Sequence, residues 1–313
     1  MLRPNDGGSK LTQTLTENLE NPTWRDFLEM CKPRVVLLML LCSSVGMLLA
    51  SEAFVGVDIL VLGNLGIALV AGSAAALNHL IDSRIDARMD RTKDRPVAQG
   101  RVRPLQGGLF VGVTGTLGIA ILALYINPLT AWLNFGSWLG YGVIYSIFLK
   151  RLTPQNIVIG GLFGAAPPLF GWTAVTGSID GGGLILVLII FAWTPPHFWA
   201  LAIDRKEEYR KVNVPMLPVT HGEEYTKLHI LLYTLILLVC SVLPYVIGMS
   251  NLFYLSSAVA LGAGFVYWSL LMIFSQKPNV PFDTFRYSIF YLAALFVALL
   301  LDHYFFPVTY MVG

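Results

Sequence analysis

The sequence predicts an all-α protein that crosses a membrane many times. Hydrophobic residues make up 55% of the 313 residues and charged residues only 13%, about half the charged fraction of a soluble domain. The mean hydropathy is +0.65, and apolar runs long enough to cross a hydrocarbon core of about 30 Å recur from residue 35 onward. Because every backbone polar group must be satisfied within lipid, we expect these runs to be helices.

Nine apolar runs predict nine transmembrane helices in one intramembrane domain that covers residues 34–306. The predicted spans are 35–51, 57–80, 107–126, 130–148, 156–176, 182–203, 228–248, 251–274 and 285–306. Residues 1–33 are predicted to be a cytoplasmic tail, since they lack the short apolar stretch and cleavage site of a signal peptide. Residues 307–313 are predicted to be a short tail on the outer side.

The distribution of basic residues predicts the orientation of the chain. All 21 Lys and Arg residues lie in the N-terminal tail or in the loops after the second, fourth, sixth and eighth predicted spans, when residues at the ends of helices are included. Basic residues mark the cytoplasmic side of a membrane protein. We therefore expect a cytoplasmic N-terminus, an outer C-terminus and a functional site at the cytoplasmic face, where the two long charged loops 81–106 and 204–227 lie.

Several classes of function fit the sequence poorly. The three cysteines lack the CxxC spacing of a zinc site and do not indicate a disulfide framework. The chain has no GxxxxGK[ST] segment, which argues against a nucleotide-driven pump. A transporter is an alternative because charged residues near membrane helices also mark ion paths, but we find no convincing inverted repeat. No nucleic-acid partner is expected for a protein embedded in the lipid bilayer.

An acidic segment after the second predicted span has the spacing of a metal site. Asn78, Asp82 and Asp86 are four residues apart and would form one stripe on a helix, whereas Asp90 has drifted off that stripe. Mg²⁺ usually binds one or two carboxylates together with substrate phosphates. The surrounding basic residues, which are suited to a shared diphosphate, are Arg84, Arg88, Arg91, Lys93 and Arg95. The alternative is a solvated helix end with ion pairs, and Asn78 argues against it because polar residues in apolar spans are usually functional.

The second charged loop repeats this spacing with Asp204 and Glu208. Either the two acidic stripes face each other and enclose metal ions or a diphosphate, or these residues are ordinary surface charges. His197 follows Pro195 and Pro196 within the preceding span. A lone histidine there is either a packing residue bonded to a neighbouring helix or a ligand. Further cations on the same face, either membrane anchors or substrate contacts, are Lys32, Arg34, Lys150 and Arg151.

The segment from Asn78 to Pro96 resembles the first aspartate-rich motif of the intramembrane, UbiA-type prenyltransferase superfamily, whose fold agrees with nine helices. The resemblance extends over residues 32–306 and is most specific to the heme-farnesylating branch. The segments that indicate this branch are 150–161, 164–172, 196–198, Tyr209 and 215–219. The resemblance implies transfer of the farnesyl group of farnesyl diphosphate to a vinyl group of heme B, with water addition, giving heme O and diphosphate. It also implies the bacterial cytoplasmic (inner) membrane.

The resemblance implies roles for individual residues. The expected Mg²⁺ ligands are Asn78, Asp82, Asp86, Asp204 and Glu208. The expected catalytic residues are Asn78, Asp82, Asp86, Lys150, Glu208 and Tyr209. The expected diphosphate contacts are Arg34, Arg91, Arg95, Lys150 and Arg151, and His197 is expected to bind heme. We also consider a heme-pathway or oxidase-assembly protein as a further partner.

Two positions depart from the pattern of the prenyltransferases that act on aromatic substrates. His79 stands where many of those enzymes carry an aspartate, and Glu208 stands where they carry the second aspartate of the second motif. Both departures are compatible with the heme branch. The nearest alternative acceptor is an aromatic quinone precursor, which would use the same metal site.

Overall fold

The computed structural model describes residues 22–88, 92–149, 152–211, 214–275 and 277–306, and helices account for most of them. The elements are α1 (Trp24–Met30), α2 (Pro33–Leu49), α3 (Val57–Asp86), α4 (Pro104–Ile121), α5 (Pro128–Trp138), α6 (Asn156–Gly164), α7 (Pro167–Thr176), α8 (Gly181–Asp204), α9 (Lys206–Lys211), α10 (Leu217–Thr220), α11 (Glu223–Val246), α12 (Leu252–Phe274) and α13 (Val280–Phe305). Wider π-helical turns extend α4 through Leu122–Ile126 and α5 through Leu139–Leu149.

The all-helical membrane fold predicted from the sequence is confirmed, and each of the nine predicted spans falls on a helical segment. Within the described residues, seven helices or continuous helix pairs are long and apolar enough to cross a membrane. An eighth is obtained if α1 and α2, which are bent by 55° relative to each other, form one span. The segment predicted at 130–148 is helical as well, but it includes the buried polar residue Asn134 and is not one of these candidates.

Proline and polar caps determine where many of these helices begin. Proline occupies the first turn of α2, α4, α5, α7 and α13, where its missing N–H leaves no helical hydrogen bond unmade. Asn127 caps α5 by accepting a 2.8 Å hydrogen bond from the Thr130 backbone N–H. Lys32, at the break between α1 and α2, has a left-handed backbone with a φ of 51°, which is uncommon for a residue with a side chain.

Glycines allow α2 and α7 to cross with their backbones in contact. A Cβ atom added to Gly171 would meet the carbonyl oxygen of Ser43, and one added to Gly46 would meet that of Pro168. Such small residues let membrane helices approach closely. The crossing therefore fixes α2, and with it the Lys32 break, relative to the rest of the bundle.

The C-terminal end of α13 is fixed to two other helices. The buried Asp302 carboxylate accepts hydrogen bonds from the backbone N–H groups of Asn251 and Tyr254 and so caps α12. His303 Nε2 lies 3.1 Å from the Ser51 carbonyl oxygen, and the Tyr304 hydroxyl donates to the Leu48 carbonyl at 3.1 Å. These contacts join the last helix to the end of α2.

Candidate active site

The acidic stripe forms as the sequence predicts, because α3 continues beyond the predicted span as far as Asp86. The side chains of Asn78, Asp82 and Asp86 are all buried, with exposed fractions between 1% and 4%. Burying carboxylates without partners is unfavourable. The stripe must therefore be compensated by neighbouring groups.

Asn78 is the centre of a hydrogen-bonded network. Its Oδ1 atom accepts a 2.6 Å hydrogen bond from Lys32 Nζ. Its Nδ2 atom donates to Asp82 Oδ2 at 2.8 Å and to Ser146 Oγ at 3.1 Å. Ser146 Oγ also donates to the Tyr141 carbonyl at 2.9 Å. The amide of Asn78 thus links the cation at the break before α2 with a carboxylate on α3 and with the helical segment that extends α5.

Asp86 is compensated by the loop that follows α3. Arg95 Nη1 lies 2.6 Å from Asp86 Oδ2, and the two side chains are 20% and 5% exposed. The Thr92 hydroxyl donates to the Asp86 backbone carbonyl at 3.0 Å, and the Arg95 N–H donates to the Thr92 carbonyl at 3.1 Å. The loop therefore folds back over the end of α3 and holds the Arg95 guanidinium against the stripe.

Three residues of this region were not assigned a role by sequence reasoning. Lys32 was recognised only as a cation on the expected face, and its left-handed backbone before Pro33 is visible only in the structure. Ser146 carries no signal in the sequence, since serine is common in membrane helices. His79 was noted only as a departure from other prenyltransferases, yet it is 2% exposed and adjoins Asn78.

The second acidic pair lies in a more exposed setting. Arg205 Nε is 3.1 Å from Asp204 Oδ2, and Arg205 Nη1 is 2.9 Å from Glu208 Oε1. The hydrogen bond to Glu208 raises the pKa of Arg205 above its ordinary value. Across the residues that the structure describes, no three acidic, histidine or cysteine side chains converge as a ready-made metal site. The assignment of Asp204 and Glu208 as metal ligands stays a prediction.

Tyr209, in α9, is half-buried and approaches the first acidic stripe through Tyr145. The Tyr145 phenol interacts electrostatically with both Asp82 and Tyr209. Its ring also packs where Gly160 lacks a side chain. Tyr145 therefore lies within electrostatic range of both the loop after α8 and the end of α3.

His197 is buried between aromatic rings of α8 and α13. Its ring stacks on Trp193 and Phe285, with centroid distances of 4.1 and 4.6 Å. Its Nδ1 atom lies 2.6 Å from Ser288 Oγ. This contact is the one that a packing residue bonded to a neighbouring helix would make. It engages Nδ1, so Nε2 is the ring nitrogen that would meet a ligand.

The remaining predicted cations are exposed or fall outside the described residues. Arg34 lies in the first turn of α2 with an exposed side chain. Among the residues that the sequence analysis considered for the site, those outside the described ranges are the acidic Asp90 and the cations Arg91, Lys150 and Arg151. The predictions for these four residues stay predictions.

Comparison with known proteins finds a matching family model, similar relatives and solved structures with a similar fold. A model described as the UbiA prenyltransferase family matches residues 39–307. The chain is 58% identical to "Protoheme IX farnesyltransferase" of Saccharophagus degradans over 295 residues, which cover 94% of this chain and 97% of that protein.

Two solved structures have a similar fold. One, described as digeranylgeranylglyceryl phosphate synthase, has a TM-score of 0.76 and 18% identity, and the match covers 90% of this chain and 98% of that chain. The other is a UbiA homolog from Archaeoglobus fulgidus bound to GPP and Mg²⁺, with a TM-score of 0.62 and 18% identity, covering 88% and 99%. At these identities the likeness concerns the fold alone.

Proposed function

Because the chain belongs to the UbiA prenyltransferase family, we propose that it transfers the farnesyl group of farnesyl diphosphate to a vinyl group of heme B. Water is added in the reaction, and the products are heme O and diphosphate. The 58% identity to a protoheme IX farnesyltransferase over almost its whole length supports this acceptor and this donor. The observation that carries the chemistry is the buried stripe of Asn78, Asp82 and Asp86 between the cations Lys32 and Arg95.

The donor set of the stripe fits Mg²⁺. Asp82 and Asp86 supply buried carboxylate oxygens, and Mg²⁺ usually takes one or two carboxylates and completes its shell with substrate phosphates and water. A related structure binds Mg²⁺ with a prenyl diphosphate. Bound Mg²⁺ would neutralise the diphosphate and stabilise the negative charge that develops on it as it leaves.

Lys32 and Arg95 have two roles in this proposal. Without substrate, Arg95 compensates Asp86 directly and Lys32 compensates Asp82 through the Asn78 amide. With the diphosphate bound, Asp82 and Asp86 would hold the metal ion, and Lys32 and Arg95 would donate hydrogen bonds to phosphate oxygens instead. Charge-assisted hydrogen bonds of this kind are the strong ones, so the cations aid departure of the diphosphate.

The reaction itself needs no protein nucleophile. The bond between farnesyl C1 and the diphosphate oxygen breaks, and its electron pair leaves with the diphosphate. The heme vinyl group then forms a carbon–carbon bond with the allylic cation, and water adds to the resulting cation with loss of a proton. The surrounding apolar helices exclude other water from the cation.

The proposal includes the topology predicted from the charge distribution. Nine spans form a single domain over residues 34–306, with a cytoplasmic N-terminus, an outer C-terminus and the site at the cytoplasmic face of a bacterial inner membrane. The restriction of all 21 Lys and Arg residues to alternate predicted loops supports this orientation. On this side, Arg34, Arg91, Lys150 and Arg151 are further candidates for diphosphate contacts.

The proposed function is tested with purified protein in nanodiscs supplied with farnesyl diphosphate, Mg²⁺ and heme B. We expect mass spectrometry to detect heme with the added mass of a farnesyl group and one hydroxyl group. The product should be lost without Mg²⁺ and in Asp82→Ala. A parallel reaction with 4-hydroxybenzoate tests the aromatic alternative. Prenylation of 4-hydroxybenzoate with heme B left unchanged would refute heme as the acceptor.

A further inference from the structure

His79 is a buried polar side chain that has no hydrogen-bond partner among the described residues. It is 2% exposed, and neither of its ring nitrogens bonds to any residue in the described part of the chain. Most buried polar groups in folded proteins are paired, and an exception calls for an explanation. A ligand that binds at this position would supply the missing partner.

The helix geometry shows where the imidazole lies. Gly72, His79 and Asp86 are seven residues apart, and seven residues of α-helix turn the chain through about 700°, so the three share one face of α3. At Gly72 this face packs against Cys31 Sγ, next to the break between α1 and α2. At Asp86 the same face bonds to Arg95. His79 therefore lies between that break and the Arg95 loop.

The charges around His79 indicate the chemistry of its ligand. Lys32 bonds to Asn78, the residue next to His79, and Arg95 bonds to Asp86 on the same face of α3, so the imidazole lies near the two cations that compensate the acidic stripe. A neutral imidazole can donate one N–H and accept at the other nitrogen. Two cations beside an unpaired donor favour an anionic oxygen, such as that of a phosphate or a carboxylate.

We propose that His79 donates a hydrogen bond from one ring nitrogen to a phosphate oxygen of the prenyl diphosphate, as a specific contact between Lys32 and Arg95. The inference rests on the proposed function insofar as the diphosphate is the substrate. The diphosphate is the anion that must approach both cations and the Asp82 and Asp86 carboxylates. The heme propionates could supply the same chemistry, and the experiment separates the two sources.

The experiment compares binding of two ligands to three substitutions of His79. His79→Leu removes the donor at similar volume, whereas His79→Asn and His79→Gln place an amide N–H near the positions of Nδ1 and Nε2. Farnesyl thiodiphosphate, which resists ionisation, is titrated by calorimetry in the presence of Mg²⁺, and heme B is titrated separately by absorbance. His303→Leu serves as the control, because His303 lies at the far end of α13, where its Nε2 atom contacts the Ser51 carbonyl oxygen.

We expect His79→Leu to weaken binding of farnesyl thiodiphosphate roughly tenfold to a hundredfold, as for loss of a hydrogen bond to a charged group. Heme affinity and thermal stability should stay near those of the wild type and of His303→Leu. One of the two amide variants should restore most of the affinity and identify the donating nitrogen.

Three outcomes would overturn the proposal. In the first, His79→Leu binds farnesyl thiodiphosphate as tightly as the wild type does. In the second, His79→Leu loses affinity for heme alone, which would show that His79 contacts a heme propionate instead. In the third, all three variants would lose stability and both ligands alike, as expected for a packing residue. Wild-type protein reports separately on the proposed function: thiodiphosphate binding without heme O formation would refute the acceptor and leave the His79 contact intact.

Discussion

Replacing Arg95 with alanine tests whether its guanidinium contacts the prenyl diphosphate. In the structure the guanidinium is four-fifths buried and lies 2.6 Å from the Asp86 carboxylate. A hydrogen bond to a charged group is worth about 1.5–3 kcal/mol, which corresponds to roughly a tenfold to hundredfold or greater change in affinity. Binding must first break the Asp86 contact, which offsets part of this gain. We therefore expect the lower end of the range, a loss of about tenfold.

The matched control for Arg95 is another arginine of the same loop. Arg101 forms an ion pair with the Asp26 carboxylate on α1 and does not bond to the stripe. Arg101→Ala thus removes an ion-paired arginine from the loop without removing a cation from the stripe. Its affinity for the diphosphate should stay within about twofold of the wild type, because it removes no direct contact.

Titration of farnesyl thiodiphosphate in the presence of Mg²⁺ measures both variants, and heme B is titrated in parallel. The expected result is weaker diphosphate binding in Arg95→Ala alone, with heme affinity unchanged in both proteins. An unchanged dissociation constant in Arg95→Ala would refute direct contact. Equal losses in Arg95→Ala and Arg101→Ala would instead assign the effect to the fold of the loop.

Three further predictions follow from the stripe, the heme contact and the helix crossing. Asp82→Ala should abolish heme O formation while the protein still inserts into the membrane. The control Asp58→Ala, at an exposed position of the same helix, should retain activity. Near-normal heme O formation by Asp82→Ala would refute the assignment of Asp82 as a metal ligand. His197→Ala should reduce heme affinity with intact folding, measured by heme titration in detergent, and an identical Soret spectrum and affinity would rule out ligation. Gly171→Ala should destabilise the protein by about 1–3 kcal/mol, as for overpacking, and lower the thermal midpoint, because its Cβ meets a backbone carbonyl. Gly136→Ala, whose Cβ would meet nothing within 4 Å, should not lower it.

The sequence predicted the helices well because lipid leaves the backbone few alternatives. An apolar run must satisfy its hydrogen bonds internally, so each predicted span falls on a helical segment. The helix ends were less predictable. The span predicted to end at residue 80 continues to Asp86, since Asp82 accepts a hydrogen bond from Asn78 one turn earlier on the same helix and Asp86 is paired with Arg95 in the following loop.

The first half of the candidate site was predictable because its residues lie on one helix. The spacing of Asn78, Asp82 and Asp86 is a local property, and helical periodicity converts it directly into a shared face. The partners of the stripe are not local. Lys32 is 46 residues and Ser146 is 68 residues from Asn78 along the chain, and no periodicity within α3 indicates either contact.

The hydrogen bonds around the stripe explain how two buried carboxylates are tolerated. Arg95 bonds Asp86 directly, whereas Lys32 acts on Asp82 through the Asn78 amide, which accepts from the ammonium and donates to the carboxylate. An asparagine can serve both partners because it carries a donor and an acceptor, which an ionised aspartate does not. An aspartate in place of Asn78 would add a third buried negative charge and repel Asp82. The neutral Asn78 amide therefore keeps the stripe at two negative charges while it joins Lys32 to Asp82.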